Sequence, residues 1–148
     1  MSDRIEKTIA LKAPIERVWR AITDHEEFGR WFRVKLDQPF ALGARSTGHI
    51  TYPGYEYYKW DAVVTAMEPM RLFAFTWPHP ADPHAEGYEG SPRTTVEFRL
   101  EPAGEGTRLT IVEAGFDAVP IERRATAMRQ NEGGWEEQTR NIQAHVES

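Results

Sequence analysis

The chain has 148 residues, of which 40% are hydrophobic and 28% charged, with five tryptophans, no cysteine and a net charge of −5. That length and apolar content predict one domain over residues 1–148 with a real core, and they exclude a disordered chain. The missing cysteines exclude a disulfide scaffold, a thiolate nucleophile and any cysteine-ligated zinc or iron–sulfur site, and the acidic balance speaks against a nucleic-acid partner. No apolar run approaches the roughly 18 residues of a membrane span. The opening MSDRIEKTIA is charged rather than apolar, so no secretory signal and a cytoplasmic location are expected.

From Arg4 to Lys12, Ile5, Ile9 and Leu11 share one parity and Arg4, Glu6 and Lys12 the other, with Lys7 as the exception on the inner side. That alternation predicts a half-buried strand. Ala13-Pro14 ends it, and Ile15, Val18, Trp19 and Ile22 then fall on one helical face. Thr23-Asp24 stops this helix and caps a second, whose Phe28, Trp31 and Phe32 again share a face.

The period then changes. Thr47 to Tyr52, Tyr57 to Ala66, Leu72 to Trp77, Thr94 to Leu100 and Thr107 to Ala114 are short β-branched or aromatic runs, with a further strand expected at Phe40 to Arg45. Turn chemistry separates them, including Pro53-Gly54 and Gly104-Glu105-Gly106, and close spacing without helices predicts an antiparallel meander. The segment Pro120 to Val146 is helical, with Ile121, Ala125, Met128, Trp135, Ile142 and Val146 as its apolar stripe. Gly133-Gly134 in mid-helix costs helix stability, which points to a close neighbour, a bend, or room left for a bulky partner. The expected fold is therefore α+β: an antiparallel sheet gripping a long C-terminal helix, with two short helices after the first strand.

These segments resemble a known family. "ALKAPIERVWRAITDHEEFGRWF" (Ala10 to Phe32), "AMEPMRLFAFTW" (Ala66 to Trp77), "GTRLTIVEAGF" (Gly106 to Phe116) and "NEGGWEEQTRNIQAHV" (Asn131 to Val146) occur in the order seen in the helix-grip, or SRPBCC, superfamily. That superfamily includes START lipid-transfer domains, the birch-pollen-allergen type and polyketide cyclases. The branch resembled is the one named for the activator of the heat-shock-protein-90 ATPase, in its single-domain bacterial form. The resemblance implies a curved sheet around the C-terminal helix, with a cavity between them. It also implies a range of roles from ligand carrier to enzyme to cochaperone. The family often has leucine one turn after the Gly-Trp motif, where this chain has Thr139.

Two glutamates stand where apolar residues are expected. Glu132 lies four after Met128 and three before Trp135, and Glu113 shares parity with Leu109 and Ile111. A buried carboxylate is costly unless paired or hydrogen-bonded. Both are therefore read as polar anchors for a ligand, as an acid–base pair, or as groups satisfied at a cavity mouth by an arginine or a tyrosine. Trp31, Phe32, Trp60, Trp77 and Trp135 come from elements expected to surround one space, as core or as ligand walls. His49 and Thr139 complete the expected ligand-binding set.

The segment Pro78 to Pro92 holds His79, Asp82, His84, Glu86 and Glu89, but its prolines and glycines read as a hairpin connection without metal-ligand spacing. Its length suits a lid over the cavity. Arg123, Arg124 and Arg129 are read as a solvated face. No nucleophile-elbow, P-loop or dinucleotide pattern occurs, and no metal or cofactor is expected. The leading expectation is a binder of a small, apolar, aromatic-containing ligand. The alternatives are a cyclase- or hydratase-type enzyme using the inner glutamates, and a stress-related module that partners a chaperone. A homodimer is a further expected partner.

Overall fold

The first strand, β1 (Ile5–Leu11), buries both its apolar ends and exposes Glu6, Thr8 and Ala10, as its alternation requires. The computed structural model describes residues 4–148, so residues 1–3 of the expected span lie outside the described residues. Helix α1 (Ile15–Thr23) follows Pro14 and buries Val18, Ala21 and Ile22. Asp24 closes α1 and opens α2 (His25–Phe32), its carboxylate accepting from the backbone N–H groups of Glu26 at 3.0 Å and Glu27 at 3.1 Å. An aspartate cap of this kind stabilises a helix by about 1 kcal/mol. Arg33, at φ 67°, ends α2 in the left-handed region and reverses the chain into β2 (Val34–Leu36).

The meander follows as β3 (Arg45–Ile50), β4 (Lys59–Glu68), β5 (Leu72–Pro78), β6 (Arg93–Ala103) and β7 (Gly106–Ala114). A single turn of 3₁₀ helix (Phe116–Ala118) leads into α3 (Ile121–Glu147). All pairings are antiparallel, in the spatial order β1-β7-β6-β5-β4-β3-β2. Because β1 and β2 form opposite edges, α1 and α2 must cross the sheet between them, and they pack there against α3. This is the α+β helix-grip architecture. Gly48 faces Trp60 across the β3–β4 ladder, and a Cβ on it would stand 2.0 Å from the Lys35 carbonyl oxygen of β2, so only glycine fits.

Three expectations about elements are corrected. Residues 40–44 form a loop and only Arg45 of the expected segment is strand, as the start of β3: Phe40 inserts one buried ring against Phe28 and Phe73, while the additional strand is the three-residue β2, too short to show alternation. The stripe of α3 is buried only at Trp135, Ile142 and Val146; Ala125 is exposed and Ile121 is 73% exposed. A helix of 27 residues is about 40 Å long, and its first turns stand clear of the core. Arg123 and Arg124 are half-buried rather than solvated, donating to the carbonyls of His79 (3.1 Å) and of Val119 and Asp117 (3.1 and 3.0 Å).

Candidate functional site

Alternation on neighbouring strands delivers large rings to one end of the sheet. Trp60 of β4 and Phe75 and Trp77 of β5 share the buried parity, with Thr94, Val96 and Phe98 of β6 and Glu113 of β7 beside them. Phe32 enters from the end of α2 and Trp135 from the middle of α3. The Trp77 and Trp135 rings stack at 5.5 Å and 25°. Phe32 lies 5.5, 6.3 and 6.1 Å from Trp60, Trp77 and Trp135.

Above these four rings is a cavity of about 720 Å³, open to solvent on one side. Tyr52, Tyr55, Tyr57 and Tyr58, from the β3–β4 connection, line its rim, and His79, Asn131, Glu137 and Gln138 its remaining wall. A Cβ added to Gly133 or Gly134 would meet nothing within 4 Å, and Gly134 borders the cavity. Gly134 therefore leaves open space at the cavity, and neither glycine is explained by a close neighbour.

Behind the rings lies Glu113, fully buried and accepting from five side chains. Oε1 accepts from Trp135 Nε1 (2.9 Å) and Asn131 Nδ2 (2.9 Å). Oε2 accepts from Trp77 Nε1 (2.8 Å), Thr94 Oγ1 (2.6 Å) and His79 Nε2 (3.1 Å). Burial pushes this carboxyl up, but the bonds from His79, Thr94, Trp135 and Trp77 outweigh it and hold the group below the ordinary carboxylate value. Glu113 is thus an ionised group whose lone pairs are all engaged. Since it lies behind the cavity wall, it acts on a ligand only through the side chains it positions.

Tyr58 is the rim's counterpart. Burial, then the nearby Tyr88 phenol and the Glu113 charge, push its phenol up to about 12, so it is a protonated hydroxyl throughout the physiological range. The connection from Pro78 to Pro92 packs down beside it. His84 stacks on Tyr57 at 4.0 Å, the Lys59 ammonium donates to the Ala85 carbonyl, and the Lys59 backbone N–H donates to the Tyr88 hydroxyl at 3.1 Å.

Of the residues the sequence singles out, Phe32, Trp60, Trp77 and Trp135 meet at the cavity and Glu113 lies directly behind it. The others are elsewhere. Trp31 is sealed in the core, its Nε1 donating to the Ala21 carbonyl at 2.8 Å. His49 is exposed on β3, where the neighbouring Ile50 has the inward parity. Glu132 is corrected from the inner to the outer face: its side chain is 63% exposed and stands 3.8 Å from the Lys7 ammonium. Thr139 donates to the Glu136 carbonyl at 2.7 Å, one turn back on its own helix, and does not reach the cavity. With Glu113 sealed and Glu132 outside, the two glutamates form no acid–base pair.

Sequence reasoning missed Tyr52, Tyr55, Tyr57, Asn131 and Gln138, and read His79 only as a residue of the Pro78–Pro92 connection. Four tyrosines within the seven positions 52–58 were a visible signal. Asn131 and Gln138 lie four before and three after Trp135, so they share its helical face. His79 carried no local signal, because its partner Glu113 is distant in the chain. Among the described residues no group of three or more histidine, aspartate or glutamate side chains is placed to hold a metal ion. Nor, among them, is any helix long and apolar enough to cross a membrane.

Comparison with known proteins bears on fold and family. The family described as "Activator of Hsp90 ATPase homolog 1-like protein" matches residues 12–147. Among solved structures, protein MLL2253 from Mesorhizobium loti is 25% identical, with TM-score 0.75 and coverage of 97% of this chain and 96% of that one. The Aha1 dimer from Colwellia psychrerythraea is 20% identical, with TM-score 0.69 and coverage of 97% and 95%. DynU16, a protein of the dynemicin biosynthetic locus, is 22% identical with TM-score 0.74; all of this chain is covered, but it spans about half (48%) of the DynU16 chain. No curated protein matches the sequence significantly.

Proposed function

We propose, from the premise that this chain belongs to the Activator of Hsp90 ATPase homolog 1-like family, that it binds a small, largely apolar molecule with an aromatic ring in the cavity between sheet and α3. One observation carries the reading. The indole N–H groups of Trp60, Trp77 and Trp135 are all bonded to protein, to Ser46 Oγ at 3.0 Å and to Glu113, so these rings need no polar partner from a ligand. A floor of satisfied aromatic side chains suits a flat, apolar body, while the Tyr58 hydroxyl and the Asn131 and Gln138 amides offer a few polar contacts at the edge.

Tryptophan emission tests this directly. Titration with naphthalene should give a saturable change, and Trp135→Ala should weaken binding at least tenfold. No saturable change in emission, together with unmoved indole N–H resonances of Trp77 and Trp135, would sink the proposal. A homodimer belongs to the same proposal, since a neighbour of the same fold is described as a dimer. Light scattering on the full chain should give twice the monomer mass; a monomer at all concentrations removes that part.

A further inference from the structure

Most polar atoms around the cavity are already bonded. Among the described residues every fully buried side-chain nitrogen or oxygen has a hydrogen-bond partner. The indole N–H groups of the floor go to Ser46 and Glu113. Gln138 donates to the Phe32 carbonyl at 3.0 Å and accepts from Asn141 at 3.1 Å, and the Tyr88 hydroxyl donates to the Pro83 carbonyl. The Tyr58 hydroxyl differs: it makes no hydrogen bond to any described residue, although it borders the cavity.

This hydroxyl is held in place without being used. The Tyr58 backbone N–H donates to the Tyr55 carbonyl at 3.0 Å, and its carbonyl accepts from the Ile50 N–H at 2.9 Å. Its ring packs edge-on against Tyr88 at 5.7 Å. Tyr58 stands immediately before β4 and two residues before Trp60, and it lines the same cavity as that floor ring. Tyr52, Tyr55 and Tyr57 also carry hydroxyls, but those residues are exposed; Tyr58 is the half-buried tyrosine of the rim.

A ligand seated over the floor takes the place of water at this hydroxyl. Unless the ligand brings an acceptor, a half-buried O–H is left without a bond, which costs affinity. A phenolic hydroxyl is a good donor and, with its lone pair conjugated into the ring, a poor acceptor. Burial pushes its pKa up to about 12, so the proton stays in place. The complement is a strong neutral acceptor, and a carbonyl oxygen is the commonest one. Asn131 cannot serve that oxygen in the same way, because its amide nitrogen already donates to Glu113 at 2.9 and 3.1 Å. The Lys59 ammonium, which donates to the Ala85 carbonyl, is the competing donor at the wall.

We infer that Tyr58 is a specificity-determining residue, its hydroxyl donating to a carbonyl oxygen on the ligand's aromatic body, so that the cavity takes aryl carbonyl compounds. The inference rests on the reading that the cavity binds an apolar aromatic molecule, and it names the polar group within that reading.

Two probes of one shape test it: acetylnaphthalene, and isopropenylnaphthalene, in which a methylene group replaces the carbonyl oxygen. Both are titrated against the full chain and against Tyr58→Phe, following the indole N–H resonances. A ketone is better hydrated than a hydrocarbon, so each probe is compared with itself across the two proteins. Tyr58→Phe should weaken acetylnaphthalene about fivefold and leave isopropenylnaphthalene unchanged. In the unaltered chain the infrared carbonyl stretch of bound acetylnaphthalene should lie below its position in a non-hydrogen-bonding solvent, a readout that does not depend on the variant's folding. Unchanged affinity for the ketone in Tyr58→Phe, as a carbonyl seated on Lys59 would give, overturns the inference. So does an equal loss for both probes, or an unshifted stretch, and each of these leaves the apolar pocket standing. Failure of both probes to bind the unaltered chain overturns the pocket reading as well.

Discussion

At residue scale, the cost of burying an ionised glutamate is met by hydrogen bonds from five side chains, and that fixes what substitution should do. Glutamine at position 113 is nearly isosteric, but its amide places a donor against a ring of donors. Such a mismatch in a buried network costs on the order of 2–3 kcal/mol. Glu113→Gln should therefore lower the melting temperature by roughly 5–10 °C for a chain of this size, as read by circular dichroism. It should also shift the emission of Trp77 and Trp135, since both indoles lose or exchange their acceptor. An unchanged melting temperature would show that the network is not holding the floor. Parity along β7 was enough to mark Glu113 as inward from sequence. Its partners were not legible, because Trp77, His79, Thr94, Asn131 and Trp135 come from β5, β6, α3 and the connection between strands. No spacing rule spans such separations.

At element scale, the helices are joined by a second carboxylate. Glu27 of α2 accepts from Arg17 Nη1 (2.6 Å) and Arg20 Nε (2.8 Å) of α1 and lies 2.9 Å from His145 Nε2 of α3. Burial raises its pKa, but the bonds from His145, Arg17 and Arg20, with the Arg17 charge, lower it to about 2. A group depressed on folding stabilises the native state above its unfolded value. That stabilisation fades as pH falls from the ordinary carboxylate range through about 2. Its size at neutral pH is on the order of 1 kcal/mol after solvent screening. Acid unfolding of the native chain should thus be steeper between about pH 5 and 2 than that of Glu27→Gln, which should be the less stable of the two at pH 7. Parallel acid curves would show the three-helix junction to be without effect.

The same scale explains the error over α3. Both Asn131 and Glu132 lie a helical turn before Trp135, at four and three residues, so periodicity admits either as its facial neighbour. The sheet's position under the helix put Asn131 on Glu113 and left Glu132 beside Lys7 at the outer flank.

At the scale of the whole molecule, the cavity mouth is built from two connections that hold each other. The Pro78–Pro92 segment reaches the tyrosine-bearing β3–β4 connection through the His84–Tyr57 stack and the Tyr88 hydroxyl, which donates to the Pro83 carbonyl and accepts from Lys59. Tyr88 is 3% exposed, so Tyr88→Ala should loosen both connections at once. Hydrogen exchange should then speed up across residues 51–58 and 79–92, with β6 and β7 unchanged. Faster exchange in only one of the two would show that they move independently. All five tyrosines gather here, although in the chain Tyr88 is thirty residues from Tyr58. The sequence by itself determined the element order, the antiparallel meander, the capped helix pair, the aromatic character of the interior and the inward carboxylate of β7. Those follow from periods of two and of 3.6 and from turn and cap chemistry, all of which act over a few residues. Only the tertiary structure decided which tryptophans form the floor, which glutamate stays dry and which connection forms the rim. Those depend on how three strands, one helix and two connections converge, which is fixed by packing between residues far apart in the chain.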